Sequence, residues 1–276
     1  MPRVTVIIPT YNWSSVLPYS IASVLEQTFT DFELLVVGDG CTDDSEQVVA
    51  AIHDPRIRWI NLQPRFGHQA GPNNEGLRQA RGELIAYLGH DDLWLPHHLA
   101  LLVAAIDAGA DVAHSTLAII DPDESVAPGT LPPTSVVHRR SMIDVIGGWR
   151  DYRDLDVVPE LDLWQRAASA SLRFTFVRRL TALKFGASAR RNVYREKPCH
   201  EQAAWLARIR SEPDLETTVL VNLAFSLARF LSPTIGQRLL RVLRNPSLLP
   251  AGIWRRISSR KGQAIRRTLR FKGVLD

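Results

Sequence analysis

From residue 3 to about residue 110 the chain alternates β-branched apolar runs with segments of helical spacing, and this alternation restricts the possible folds most. Arg3 to Pro9 is almost continuously apolar, as expected of a strand buried on both faces. Val16 to Gln27 then spaces Val16, Ile21, Val24 and Leu25 like the inner side of a helix. Phe32 to Val37 reads as a second strand, stopped by Gly38, Asp39 and Gly40. Ser45 to His53 is predicted helical, Ile57 to Leu62 a strand, Asn74 to Ala80 a helix ended by Gly82, and Leu84 to Leu88 a fourth strand. Pro96 stands where a first helical turn tolerates proline, ahead of a helix over His97 to Ala108. Strand-helix alternation of this kind predicts an α/β fold, a mostly parallel sheet with right-handed crossovers and helices on both faces.

Beyond Asp111 the pattern changes. Val112 to Leu117 is followed by a proline-rich loop at 122–133, strands over Ser135 to Arg139 and Arg173 to Phe185, and between them a helix over Glu160 to Ala170. From His200 onward, segments separated by Pro213, Pro233, Pro246 and Pro250 read as short helices. The expected organisation is one domain over residues 1–199 and a helical C-terminal region over 200–276.

With 276 residues and 45% apolar content, the chain has material for one large core plus a smaller appendage. Cys41 and Cys199 lack metal-type spacing, so neither a disulfide framework nor a zinc knuckle is expected, and a cytoplasmic location fits. The residues from Met1 to Val4 enter a strand-like run at once, which argues against a secretory signal. Val219 to Leu231 is interrupted by Asn222, Ser226 and Arg229. It is too short for a bilayer of about 30 Å and is expected to be a buried helix.

Net charge is +4, but residues 236–276 hold eleven Lys/Arg against Asp276 alone, leaving the preceding residues at −6. Ile253 to Lys272 places Ile253, Trp254, Ile257, Ala264, Ile265 and Leu269 near one helical face among eight basic residues. Two readings stand: residues 252–272 lie peripherally on anionic lipid at the inner face of the membrane, or they pack on the main domain with a solvated basic face. Nucleic acid is not an expected partner, because no recognition motif accompanies the charge.

In an open parallel sheet, ligands bind beyond the carboxyl ends of the strands. Polar residues gather at those ends: Thr10, Tyr11 and Asn12 after the first strand, Asp39 after the second, and His90, Asp91 and Asp92 after the fourth. Asp39 sits between glycines that permit a tight turn and close approach of a flat ligand. Its carboxylate either accepts a hydrogen bond from a base or ribose, or helps Thr42 and Asp43 shape the turn and cap the helix near Ser45. Asp91 and Asp92 end a buried strand, so at least one should face the cleft. They either hold a hard divalent cation, with a substrate's phosphates completing its shell, or cap the helix beyond Pro96.

Taken together and in order, Val6 to Asn12, Glu33 to Asp43, Asn74 to Leu77 and Ala80 to Leu88 running into Asp91 resemble family 2 glycosyltransferases of the GT-A fold. The resemblance covers about residues 3–185. It implies a Rossmann-like sheet and an inverting enzyme that moves a sugar from a nucleotide-sugar donor, UDP-linked, onto a glycan or lipid-linked glycan acceptor. Pro9, Thr10, Tyr11, Asn12, Asp39, Asn74, His90 and Asp91 would then contact the nucleotide. Asp91 would take the last place of the family's Asp-X-Asp and bind Mn2+ or Mg2+, with Asp92 as a further ligand. Gly38 and Gly89 stand where the family carries acids. Glu160 aligns with the family's base aspartate, and Asp162 is the second candidate for that role. Trp149, after Gly147 and Gly148, would either stack on a sugar or belong to the core. Arg139 and Arg140 would meet an anionic group or simply face solvent. Two rivals are a nucleotide-sugar-binding module without catalysis, consistent with the lost acids, and a nucleotidyltransferase. The latter is disfavoured because no glycine-rich phosphate loop with a following Lys comes after the first strand.

Overall fold

The computed structural model describes residues 1–129, 131–186 and 190–231. Strands β1 (Val4–Thr10), β2 (Phe32–Gly38), β3 (Ile57–Asn61) and β4 (Leu84–Tyr87) lie in the order β3-β2-β1-β4 and are all parallel. They are connected through α1 (Leu17–Leu25), α2 (Ser45–Ala50) and α3 (Ala70–Gln79). Val4, Val6 and Ile8 of β1 join a core cluster with Leu17, Ile21 and Val24 of α1, whereas Ile7 joins another with Ala70 of α3. Successive side chains point to opposite faces and both faces are covered, hence the continuous apolar run. Burying each such aliphatic side chain contributes about 1.5–3 kcal/mol.

The polar exceptions form a joint. Glu33, which is buried, accepts hydrogen bonds from the Thr5 hydroxyl at 2.7 Å, the Arg81 backbone N–H at 2.6 Å and the Arg58 guanidinium at 3.1 Å. This network secures the turn into β4 to β1 and β2.

The second half contributes β5 (Leu93–Trp94), α4 (His98–Asp107), β6 (Val112–Ile120), β7 (Val126–Pro128), β8 (Val136–Arg139), α5 (Ser141–Ile146), α6 (Pro159–Ser169) and β9 (Phe174–Phe185). β8 lies antiparallel between β4 and β6, β9 runs parallel to β6, and β5 pairs antiparallel with β9. The result is a mixed α/β sheet, mostly parallel along its ladders, with helices on both faces. Short α7 (Val193–Glu196), then α8 (His200–Ser211) and α9 (Leu215–Leu231), complete the described elements.

Several expectations change. Helix α3 starts at Ala70 rather than Asn74, with Pro72 in its first turn, where its missing N–H breaks no helical hydrogen bond. The proline-rich loop contains β7, which folds back on β6. Helix α9 is 17 residues long rather than short. Leu215, Val219 and Leu223 are buried at four-residue spacing, but Val221 and Phe225 are exposed, so it is amphipathic rather than wholly buried. Met1–Ser226 forms one compact unit. Among the described residues no helix is long and apolar enough to cross a membrane. The segments around Pro233, Pro246 and Pro250 and the basic stretch 252–272 lie outside the described residues.

Fully buried His98 stacks on Trp94 with ring centroids 4.1 Å apart, and its Nδ1 is 2.7 Å from the Thr181 hydroxyl. Burial pushes its pKa down to about 3. The unfolded chain takes up this proton near pH 6.5, as for any solvated His, so it binds more protons than the folded one between about pH 6.5 and 3. Stability from this group is therefore complete above about pH 6.5 and falls by about 1.4 kcal/mol per unit as pH drops through that window. Urea unfolding of wild type and His98→Asn between about pH 7 and 5 is expected to show a wild-type slope steeper by about one proton. Equal slopes would refute the assignment.

Candidate active site

The carboxyl ends of β1, β2 and β4 open onto a cavity of about 750 Å³. Its lining includes Pro9, Thr10, Tyr11, Asn12, Asp39, His90 and Asp91, so seven of the eight anticipated nucleotide contacts meet there. Arg65, Gly67, His68, Gln69, Lys184, Phe185, Tyr194 and Lys197 also line it.

Buried Asp39 accepts hydrogen bonds from the backbone N–H of Phe66 at 2.7 Å and of Gly67 at 2.8 Å. It therefore fixes the segment after β3 while remaining on the cavity wall. The Arg65 guanidinium lies 3.9 Å from Asp39 and stacks 3.7 Å over the Tyr11 ring. A Cβ added at Gly38 would meet Asn61 Oδ1 at 2.7 Å, so the acid that the family carries there has no room. Asn61 fills the space and closes the turn through Cys41, accepting from its N–H at 2.8 Å and donating to its carbonyl at 2.9 Å. Asn12 accepts from the Thr42 N–H at 2.7 Å, tying the β1 end to the β2 turn. Thr10 Oγ1 and His90 Nδ1 are 3.0 Å apart, and burial lowers the His90 pKa, favouring a neutral ring.

The acidic pair divides. Asp91 faces the cavity, and burial, followed by the Asp92 charge, raises its pKa. Asp92 is fully buried and accepts from the Thr134 hydroxyl at 2.5 Å, the Lys184 ammonium at 3.1 Å and the Phe185 N–H at 3.3 Å. The expectation that Asp92 binds metal is thus corrected: its oxygens are taken by protein donors inside the fold. A Cβ at Gly89 would meet Asp92 Oδ2 at 2.7 Å, so the Asp92 carboxylate occupies the space of the missing first acid. Among the described residues no group of three or more His, Cys, Asp or Glu gathers, so a cation here would rest on a single carboxylate of the pair, Asp91, and on a substrate's phosphates. Hard cations need oxygen ligands. Here Asp91 is the one carboxylate of the pair that faces the cavity, an ammonium of the same sign as the ion also lines it, and this donor set does not fit a protein-built Mn2+ or Mg2+ site.

Helix α6 begins with Pro159 and places Glu160 and Asp162 in its first turn, where the N-terminal dipole favours acids. Glu160 Oε2 accepts from Gln69 Nε2 at 3.3 Å, and Gln69 lines the cavity, which brings Glu160 to its rim. Asp162 is buried and pairs with Arg166 at 2.8 Å and Arg150 at 3.4 Å. Arg166 also donates to the Gly147 carbonyl at 3.1 Å and the Gly148 carbonyl at 2.8 Å. Asp162 therefore holds the loop before α6, which removes it as the second base candidate.

Asn74, expected among the nucleotide contacts, lies elsewhere. Its side chain accepts from the Trp149 N–H and donates to the Trp149 carbonyl, both at 2.8 Å, and it lines a separate hollow with Arg140 and Gly148. Trp149 is buried against Tyr87 with centroids 5.2 Å apart, which is the core alternative rather than a sugar platform. Arg139 is spent on the Ala110 and Ile106 carbonyls at 3.2 and 2.9 Å.

Lys184 and the Arg65–Gln69 segment had not been anticipated. Lys184 carried a legible signal, since it interrupts the apolar end of β9 between Leu183 and Phe185. The Arg65–Gln69 segment has no periodicity, and it is placed by Asp39.

Residues 5–124 match the family model Glycosyl transferase family 2. The chain is 36% identical over 101 residues to the UDP-Glc:alpha-D-GlcNAc-diphosphoundecaprenol beta-1,3-glucosyltransferase WfgD of Escherichia coli, covering 37% of this chain and 40% of that protein. It is also 36% identical over 114 residues to the GalNAc(5)-diNAcBac-PP-undecaprenol beta-1,3-glucosyltransferase of Campylobacter jejuni, covering 40% of this chain and 36% of that one. The matched segment thus spans well under half the length of these curated relatives. Among solved structures, S. aureus TarS in complex with UDP-GlcNAc has a TM-score of 0.58 at 19% identity, over 89% of this chain and 80% of that one. The mannosyltransferase PcManGT from Pyrobaculum calidifontis, in complex with GDP-Man and Mn2+, has a TM-score of 0.54 at 18% identity, over 91% of this chain and 81% of that one. At these identities the structural likeness is one of fold.

Proposed function

We propose that this chain, which carries a glycosyl transferase family 2 region over residues 5–124 on a GT-A fold, transfers a sugar from a nucleoside diphosphate sugar to a hydroxyl of a glycan or lipid-linked glycan. The observation that carries this function is the meeting of Thr10, Tyr11, Asp39 and Asp91 from three parallel strand ends around one cavity, with Glu160 joined to its rim through Gln69. The nucleoside lies against Tyr11 and Asp39. The donor is UDP-linked, in keeping with the UDP-Glc named for the Escherichia coli relative.

Transfer proceeds with inversion in one displacement. The acceptor oxygen attacks the anomeric carbon, the bond from that carbon to the diphosphate oxygen breaks, and the acceptor proton passes to the Glu160 carboxylate. His90, kept neutral, orients through Thr10 and adds no charge beside the diphosphate. Mn2+ or Mg2+ was expected here from resemblance, but the residues present do not make a protein-built site for either, and no step is assigned to a metal. Catalysis falls to residues 1–199. Residues 200–276, through the basic stretch 252–272, give peripheral contact with the cytoplasmic membrane face, where a lipid-linked acceptor would lie.

The replacement of two family acids by Gly38 and Gly89 favours a second reading, a module that binds nucleotide sugars without turnover. A screen of UDP-, GDP- and dTDP-sugars against lipid-linked glycan acceptors, reading nucleotide release, separates the two. Release of UDP that depends on acceptor is expected. Calorimetric binding with no release from any donor would leave only the module.

A further inference from the structure

We propose that the Lys184 ammonium is a resident cation of the cavity and binds the donor's diphosphate, so that donor binding needs no divalent ion. The inference rests on the transferase function above and assigns its leaving-group contact. Three observations converge on it. Lys184 lines the cavity, with 35% of its side chain accessible. Its position is held from within, because buried Asp92 sits 3.1 Å from Nζ and is itself fixed by Thr134 and by the Phe185 backbone. The space in which an acid at position 89 would complete a metal motif is filled by that same Asp92, 2.7 Å from where its Cβ would stand.

The charges follow one logic. Asp91 and Asp92 follow β4, and a positive charge that lines the cavity with Asp91 stands 3.1 Å from Asp92. An ammonium offers three N–H donors, of which Asp92 is the one acceptor among the described residues, leaving donors for phosphate oxygens. Lys197 also lines the cavity and widens the positive border facing a diphosphate. When the bond between the anomeric carbon and the diphosphate oxygen breaks, the electron pair stays on that oxygen. Lys184 then meets the added charge with a fixed cation that requires no reorganisation.

The test titrates UDP, GDP and dTDP into the full chain by calorimetry, in EDTA and then in Mn2+, and follows the diphosphate that binds most tightly. Wild type is expected to bind it in EDTA with affinity little changed by Mn2+. Lys184→Met should bind about 10- to 100-fold more weakly in EDTA, the loss expected for a charge-assisted contact. Removing Lys184 strands the buried Asp92 charge, so the neutral pair Lys184→Met with Asp92→Asn is measured alongside, with thermal melting to establish folding. It should bind as weakly as Lys184→Met, while Lys184→Arg retains most of the affinity. Wild-type binding that appears only with Mn2+, or a folded neutral pair binding like wild type in EDTA, overturns the role of Lys184 and leaves the transferase function standing. No nucleotide binding under either condition overturns both.

Discussion

Glu160→Gln is expected to lower sugar transfer about 10²- to 10⁴-fold, the usual contribution of a positioned general base, while leaving nucleotide binding essentially unchanged. The substitution keeps the side chain's length and its contact with Gln69 but removes the lone pair that takes the acceptor proton. An inverting displacement needs that proton removed as the oxygen attacks. The neighbouring carboxylate cannot take over, because Asp162 is committed to Arg166 at 2.8 Å and to Arg150 at 3.4 Å. The loss should appear in kcat rather than in the donor KM. Asp162→Asn, by contrast, should loosen the loop held through Arg166 and lower stability. If Glu160→Gln turned over at the wild-type rate, the base would lie elsewhere. If it lost UDP binding in parallel, Glu160 would be shaping the cavity rather than moving a proton.

The half of the fold that was legible is the half where covalent order and burial coincide. Parallel strands need helices between them, and strands buried on both faces must be apolar throughout. The runs at Val4–Thr10 and Phe32–Gly38 therefore announce themselves. After β4 the sheet is completed by β8 between β4 and β6, and by β5 at an edge, from short segments whose partners are distant in sequence. Two residues such as Leu93–Trp94 carry no period, and neither does the six-residue α5. The site divides along the same line. Thr10, Asp39, His90 and Asp91 follow strand ends and could be placed from strand order alone. Whether a polar side chain faces the cavity or the core depends on partners that only the fold supplies: Thr134 and Lys184 for Asp92, Arg150 and Arg166 for Asp162, the Trp149 backbone for Asn74. Resemblance assigned these three side chains by position, and each proved to be engaged internally.

Asp92→Ala is expected to destabilise the protein by about 3–5 kcal/mol, the cost of removing one partner from a buried ion pair. A chain of this size would melt lower by on the order of 10 °C. The side chain is fully buried, and its loss would strand the Thr134 hydroxyl, the Phe185 N–H and the Lys184 ammonium together. A ligand whose main role was to hold an ion would behave differently. Its removal would leave the melting temperature of the metal-free protein nearly unchanged and would show up in the metal concentration needed for activity. Melting curves in EDTA therefore discriminate between the two roles. The cycle of Asp92→Asn, Lys184→Met and the double variant measures the coupling directly, since contacting charges are non-additive where independent sites add. Because the double variant removes both charges from the interior, it should be more stable than the sum of the single losses predicts. Strict additivity would mean that Asp92 and Lys184 do not form the pair that fills the place of the missing acid at Gly89.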